Sequence, residues 1–327
     1  MTAQPSRLVS GIRSPMHAVL NSALPVFALI LTGFICGFFG VFDRTATDNL
    51  NRFAIYLALP SLMFTAMSKI TPDQVQQFGF AGAFGVGFAF TFAVAFAVSR
   101  VRGRRVASAS IEGLDASYSN VGFMGIPMCL LVFGPESAPA SIIATLFTAC
   151  VLFLLAIVII EIDLQKGDSF WSTGAKVARA IFTSPLLIAP VAGLAVGLTG
   201  LTVPAPFLSF TTLLGGAASP AALVCIGLFL AQERVVTDDI RSISLLVAMK
   251  LILQPAVTAL LAFHVFSMPP LWSHSAVILS ALPIGSGPFT IAKLYGLEAG
   301  VTSGSILASH VFAVLTVSLL VAWLAPT

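Results

Sequence analysis

From about residue 18 to residue 324 the chain is a succession of apolar stretches, each close to 20 residues long and separated by short polar turns. Twenty apolar residues in a helix match the hydrocarbon thickness of a bilayer, at about 1.5 Å of rise per residue. Windows of that length place spans near 18–40, 50–68, 77–99, 108–132, 138–160, 178–200, 207–231, 242–266, 272–293 and 300–324. Ten transmembrane helices in an all-α polytopic membrane protein is therefore the expected fold class. Composition excludes a soluble domain, since 57% of the 327 residues are hydrophobic and only 9% are charged. The first run follows Arg7, Arg13 and His17 but is too long for a signal peptide, and it reads as a genuine span.

Two of these spans are interrupted. Asn120-Val-Gly-Phe-Met-Gly-Ile-Pro127 sits in the middle of the fourth. Pro127 lacks a backbone N–H and its ring clashes with the carbonyl four residues back, while Gly122 and Gly125 lower the cost of leaving helical geometry. Unwinding is expected over this octapeptide. Backbone groups freed within lipid cost several kcal/mol each unless protein or a water-filled cavity satisfies them, so such a break belongs in the protein interior. Asn120 adds a side-chain acceptor and two donors there. A second interruption, Pro283-Ile-Gly-Ser-Gly-Pro288, lies in the ninth span. Paired broken spans in corresponding halves point to the binding site of a transporter.

The basic residues give an orientation. Twelve of the 16 lysines and arginines fall in odd-numbered loops, from Arg44 and Arg52 through Arg100 to Arg105 and on to Lys293; Arg7, Arg13 and Lys69 lie on the other face. Positive charge marks the cytoplasmic side, so both termini are expected outside. Prolines mark a repeat. Pro25, Pro60 and Pro127 correspond to Pro190, Pro220 and Pro288 at offsets of 165, 160 and 161. Five spans per copy invert the second copy, giving repeats of 1–164 and 165–327, with scaffold and core domains each drawn from both and the fourth and ninth helices crossing.

At these residues the chain resembles a known family. Asn51-Arg52-Phe53 with Leu59-Pro60, Met124-Gly-Ile-Pro127, and Leu282-Pro-Ile-Gly-Ser-Gly-Pro-Phe289 with Ala292-Lys293 and Tyr295 are similar to motifs of the auxin efflux carrier family, whose bacterial members include malonate and malate permeases. The resemblance implies a ten-span fold like that of bile-acid sodium symporters. It also implies a multi-pass protein of the bacterial inner membrane and a substrate carboxylate at the crossover beside Asn120. The long cytoplasmic loop of the plant carriers has no counterpart in the short stretch Glu161 to Arg179.

The expected substrate-binding set is Asn120, Gly122, Gly125, Pro127, Gly285, Ser286, Gly287 and Pro288. Four ionisable residues are candidates for coupling transport to a proton or sodium ion. Glu112 and Asp115 lie three apart on one helical face ahead of the break, although Glu112 is near enough to Arg105 to reach headgroup water. Lys250 either snorkels to the surface or acts near an anion. His310, about 16 Å into the last span, either relays protons or donates to a carbonyl freed by a neighbouring broken helix. Tyr118, Ser119, Ser286 and Thr290 line the site or satisfy backbone groups beside the breaks.

Several classes are disfavoured. Cys36, Cys129, Cys150 and Cys225 are dispersed and read as packing residues, with no disulfide framework, metal site or cofactor implied. The net charge of +3 carries no basic face for nucleic acid. No Walker sequence is present, which leaves ATP hydrolysis out. The leading expectation is a secondary transporter of a small organic carboxylate, embedded in the lipid bilayer as a monomer or homodimer. The alternatives are a sodium-coupled symporter of larger organic anions on the same fold, and an intramembrane serine hydrolase using Ser286 and His310.

Overall fold

The computed structural model describes residues 23–164, 179, 183–232 and 239–324. Among these residues it is all helical: α1 (Leu24–Phe38), α2 (Arg44–Met67), α3 (Phe78–Val101), α4 (Val106–Asp115), α5 (Val121–Phe133), α6 (Pro135–Leu164), α7 (Pro185–Thr199), α8 (Ala205–Gln232), α9 (Ile240–Val265), α10 (Pro270–Ala281), α11 (Gly287–Tyr295) and α12 (Gly300–Leu324). Among them α2, α3, α6, α8, α9 and α12 are long and apolar enough to cross a membrane, and α1, α5 and α7 are shorter apolar helices. The boundary expected between residues 164 and 165, both chain termini, and Arg7, Arg13, Lys166, Lys176 and Arg234 lie outside the described residues.

Three of the proline-containing helices share one device. Lacking an N–H, a proline forfeits the i→i−4 bond, and the backbone absorbs the loss in a π turn that ends two residues earlier. Ala54–Ala58 precedes Pro60, Val121–Gly125 precedes Pro127 and Met249–Leu253 precedes Pro255. The stretch expected to unwind around Pro127 is therefore largely helical. The true break lies just upstream, where α4 ends at Asp115 and Ala116 to Asn120 leave helical geometry.

Helix pairing is set by small residues. α1 packs along α8, and α2 along α7. A Cβ on Gly33 would lie 2.1 Å from the Val224 carbonyl oxygen, and one on Gly227 would lie 1.9 Å from that of Ile30, so these backbones touch only because both positions are glycine. Gly193 approaches the Phe64 carbonyl in the same way, with 2.6 Å left for a Cβ. α12 divides cleanly: Thr302, Ile306, Ser309, Ala313 and Val317 are buried, whereas Val311, Phe312, Leu315 and Leu319 are exposed and apolar, as on a face turned to lipid.

α2 begins earlier than its hydropathy suggests. Asp43 caps it, accepting from the Ala46 N–H at 2.7 Å, and the polar turns from Arg44 to Phe53 are continuous with the apolar part. Arg44 and Arg52, expected in a loop, are helical.

Candidate functional site

The two breaks meet. Ser119 and Ile284 pair as an antiparallel bridge; the Asn120 N–H donates to the Pro283 carbonyl at 2.9 Å and the Gly285 N–H to the Tyr118 carbonyl at 3.0 Å. Each unwound segment thus satisfies backbone groups of the other, which resolves the cost of irregular backbone at this depth. Gly285 is required for the approach, because a Cβ there would lie 2.9 Å from the Tyr118 ring and 3.3 Å from the Asn120 Cα.

Surrounding helices supply the remaining partners. Ser309 of α12 accepts the Ile284 N–H at 3.0 Å. Gln254 of α9 donates to the Ser117 carbonyl at 2.9 Å, and Lys250, one turn earlier, donates to the Ser280 carbonyl at 2.6 Å. Lys250 is fully buried, so the snorkelling expectation is corrected. Its Nζ sits at the C-terminal end of α10, where carbonyls lack helical partners.

The other coupling candidates separate. Asp115 is fully buried and accepts from the Thr302 hydroxyl at 2.8 Å. Glu112 is buried, bonded to the Ser99 hydroxyl and paired at 3.2 Å with Arg104. Arg104 also meets Asp239, the N-cap of α9, at 2.5 Å. Bonds from the Ser242 hydroxyl and amide, then Arg104 and Arg102, hold the Asp239 carboxyl below the usual carboxylate range. His310 bonds through Nδ1 to the Ile306 carbonyl of its own helix, at 2.9 Å, not to a carbonyl of a broken neighbour; its Nε2 lies 3.5 Å from Asn120 Nδ2.

A cavity of about 270 Å³ lies against this crossing. Asn120 and Phe123 from the start of α5, Ser286, Phe289 and Thr290 from the start of α11, and His310 of α12 line it. Two helix N-termini therefore border one cavity, and their dipoles favour an anion there. Arg44, Gln232 and Phe289 also line a larger vestibule of about 1030 Å³, with Arg104, Glu112 and Lys293 at its walls.

Of the expected binding residues, Asn120 and Ser286 reach the cavity. Gly122 packs near Thr145 and Gly125 against Leu279 and Leu282, while Pro127, Gly285, Gly287 and Pro288 are buried and shape the segments. Sequence reading missed Arg44, Thr47, Asp48 and Asn51 of α2, which line the same cavity as Asn120. Their signal was the polar spacing within Arg44–Phe53, next to a span too short by itself. Ser309 and Thr302 gave no such signal. Among the described residues no cluster of three metal-ligating side chains occurs, and all four cysteines are unpaired.

Comparison with known proteins identifies the family. Residues 18–321 match the family described as Membrane transport protein. A protein of Rhizobium meliloti named "Putative malonate transporter" is 28% identical, over 93% of this chain and 95% of its own. An uncharacterized transporter of Methanothermobacter thermautotrophicus is 24% identical over 91% of this chain and 96% of its own. A protein of Oryza sativa named "Probable auxin efflux carrier component 5a" is 23% identical over 89% and 93%. The chain is an integral membrane transporter, not an enzyme, and belongs to the auxin efflux carrier family of membrane transport proteins.

Proposed function

We propose that the chain is a secondary carrier that moves a small organic carboxylate by exposing the crossing of its two broken spans alternately to each side of the membrane. The observation that carries this reading is the cavity bordered by the N-termini of α5 and α11, with the Asn120 amide between them. Helix dipoles and a neutral amide donate to negative charge there without themselves carrying a charge that needs desolvation. A cavity of about 270 Å³ favours a short-chain acid over the larger anions of the alternative reading. The Rhizobium relative's name suggests malonate or a similar dicarboxylate, and Arg44 lines the same cavity as Asn120.

Ten spans in two inverted repeats is the fold we infer. In support, exchange of the first and sixth spans and of the second and seventh converts the α1–α8 pair into the α7–α2 pair, and both pairs are in contact. The vestibule is walled by Arg44, Arg104 and Lys293, all from the basic face, so the cavity opens toward the cytoplasm if the termini are outside. Transport requires a coupling proton or sodium ion, or the substrate gradient itself.

Uptake of labelled short mono- and dicarboxylates into proteoliposomes, with imposed proton or sodium gradients, tests the reading. Saturable uptake of one or more of these acids, accelerated by one gradient, is expected. Uptake of none, with bulky organic anions carried instead, would overturn it in favour of the alternative.

A further inference from the structure

The His310 ring is fixed from one side. Nδ1 lies 2.9 Å from the Ile306 carbonyl oxygen, and a carbonyl only accepts, so Nδ1 carries hydrogen in the neutral ring as well as in the charged one. The neutral ring therefore presents a lone pair on Nε2 to Asn120, whose Nδ2 lies 3.5 Å away and donates to it. The opposite amide orientation would set two acceptors against each other.

We propose that His310 carries the coupling proton of this transporter, and that its protonation turns the Asn120 amide so that its N–H groups serve the substrate carboxylate. This rests on the carboxylate reading above. Once Nε2 is protonated it is a donor, and it can face Asn120 only if the amide rotates half a turn to offer Oδ1. The two amide N–H groups then occupy the place the carbonyl oxygen held. Both residues line the cavity, so a cation and two donors are presented to an anion that accepts only. A carboxylate binds this form better, and by linkage it raises the ring's proton affinity to the same degree.

Among the four ionisable candidates only His310 lines this cavity. Arg44 and Asp48 from α2 and Cys225 from α8 face it across the same space. From the elements packed on α12, Lys250 of α9 is bonded to Ser280, Asp115 of α4 to Thr302, and Glu112 to Ser99 and Arg104. His274 of α10 contacts the rings of Phe133 and Phe263, and Lys293 of α11 lies over the Phe289 ring.

The test is calorimetric binding of malonate, and of other short mono- and dicarboxylates, to the full-length carrier in nanodiscs. Two buffers of different ionisation enthalpy are used, between about pH 5 and 8. The wild type should take up about one proton per bound acid beyond the acid's own titration, and its affinity should fall about tenfold per pH unit above the ring's transition. His310→Gln, which keeps a polar side chain of similar reach, should take up none and show no such slope. Binding to the wild type without proton uptake, or equal uptake by the variant, overturns the role of His310 and leaves the carboxylate reading standing. The wild-type measurement decides even if the variant fails to fold. Failure of every acid to bind the wild type would remove the carboxylate reading, and this inference with it.

Discussion

Lys250 and Gln254 stand one helical turn apart on α9, and each closes the end of a different broken span: Lys250 Nζ holds the Ser280 carbonyl at the end of α10, and Gln254 Nε2 holds the Ser117 carbonyl just past the end of α4. One helix thus fixes where both first halves stop. The second halves begin a few residues on, with their N-termini left for the cavity. Serine 309 completes the arrangement from α12 by accepting the Ile284 N–H.

These caps should be felt in stability. Ser309→Ala leaves the buried Ile284 N–H without its acceptor, at a cost of about 1–3 kcal/mol. Ser305→Ala is the matched control, since that buried hydroxyl meets no protein partner among the described residues. Thermal unfolding in detergent should show a clear loss for the first and little change for the second. Equal effects would contradict the capping role.

The scaffold contact gives a sharper contrast. Gly227→Ala drives a Cβ into the Ile30 carbonyl, whereas a Cβ at Gly216 meets nothing within 4 Å. Overpacking against backbone costs about 1–3 kcal/mol, so Gly227→Ala should lower the melting temperature and Gly216→Ala should leave it unchanged or raise it. A neutral Gly227→Ala would mean that α1 and α8 are not in backbone contact.

Asp239 predicts a pH dependence. Its carboxyl titrates below the unfolded value, so its contribution is complete above the ordinary carboxylate range and is lost as pH falls through the folded value. Asp239→Ala should cost about 1 kcal/mol at neutral pH, the usual worth of an N-cap. In acid, denaturation curves of the two proteins should converge. A difference that persists unchanged in acid would assign the effect to packing.

Orientation is tested at Ser108, which lines the vestibule. In a carrier freed of its four native cysteines, Ser108→Cys should react with an impermeant maleimide in inside-out vesicles and not in right-side-out ones. The reverse pattern would invert the charge-based topology.

Much of this arrangement was legible in the sequence, because length and apolarity alone define a span and because Asn120 and Ser286 stand where apolar runs are punctuated. The position of the break was not. Pro127 shows which N–H is missing, but a π turn absorbs that loss, as it does before Pro60 and Pro255, and unwinding occurs where Ser119 can pair with Ile284. That pairing joins residues 165 apart, beyond the reach of local pattern. The polar start of α2 was hidden for a different reason: a hydropathy window averages all faces of a helix, and from Arg44 to Asn51 one face looks into the cavity. Lys250 misled because a long cation near a span end ordinarily reaches water; here a helix C-terminus takes its place.

The central claim is that the substrate carboxylate is held at the crossing by Asn120. Among the described residues its side chain makes no capping bond to α5 and hydrogen-bonds only His310 Nε2, at 3.5 Å, while its backbone N–H and carbonyl carry the structural bonds. Truncation should therefore spare the fold. A hydrogen bond to a charged group is worth about 1.5–3 kcal/mol, so Asn120→Ala should raise the dissociation constant of the transported acid roughly tenfold to a hundredfold. The decisive measurement is equilibrium binding of that acid to purified wild type and Asn120→Ala, with thermal unfolding of both. Weakened binding at an unchanged melting temperature is the predicted result; unchanged affinity with a lowered melting temperature would contradict it.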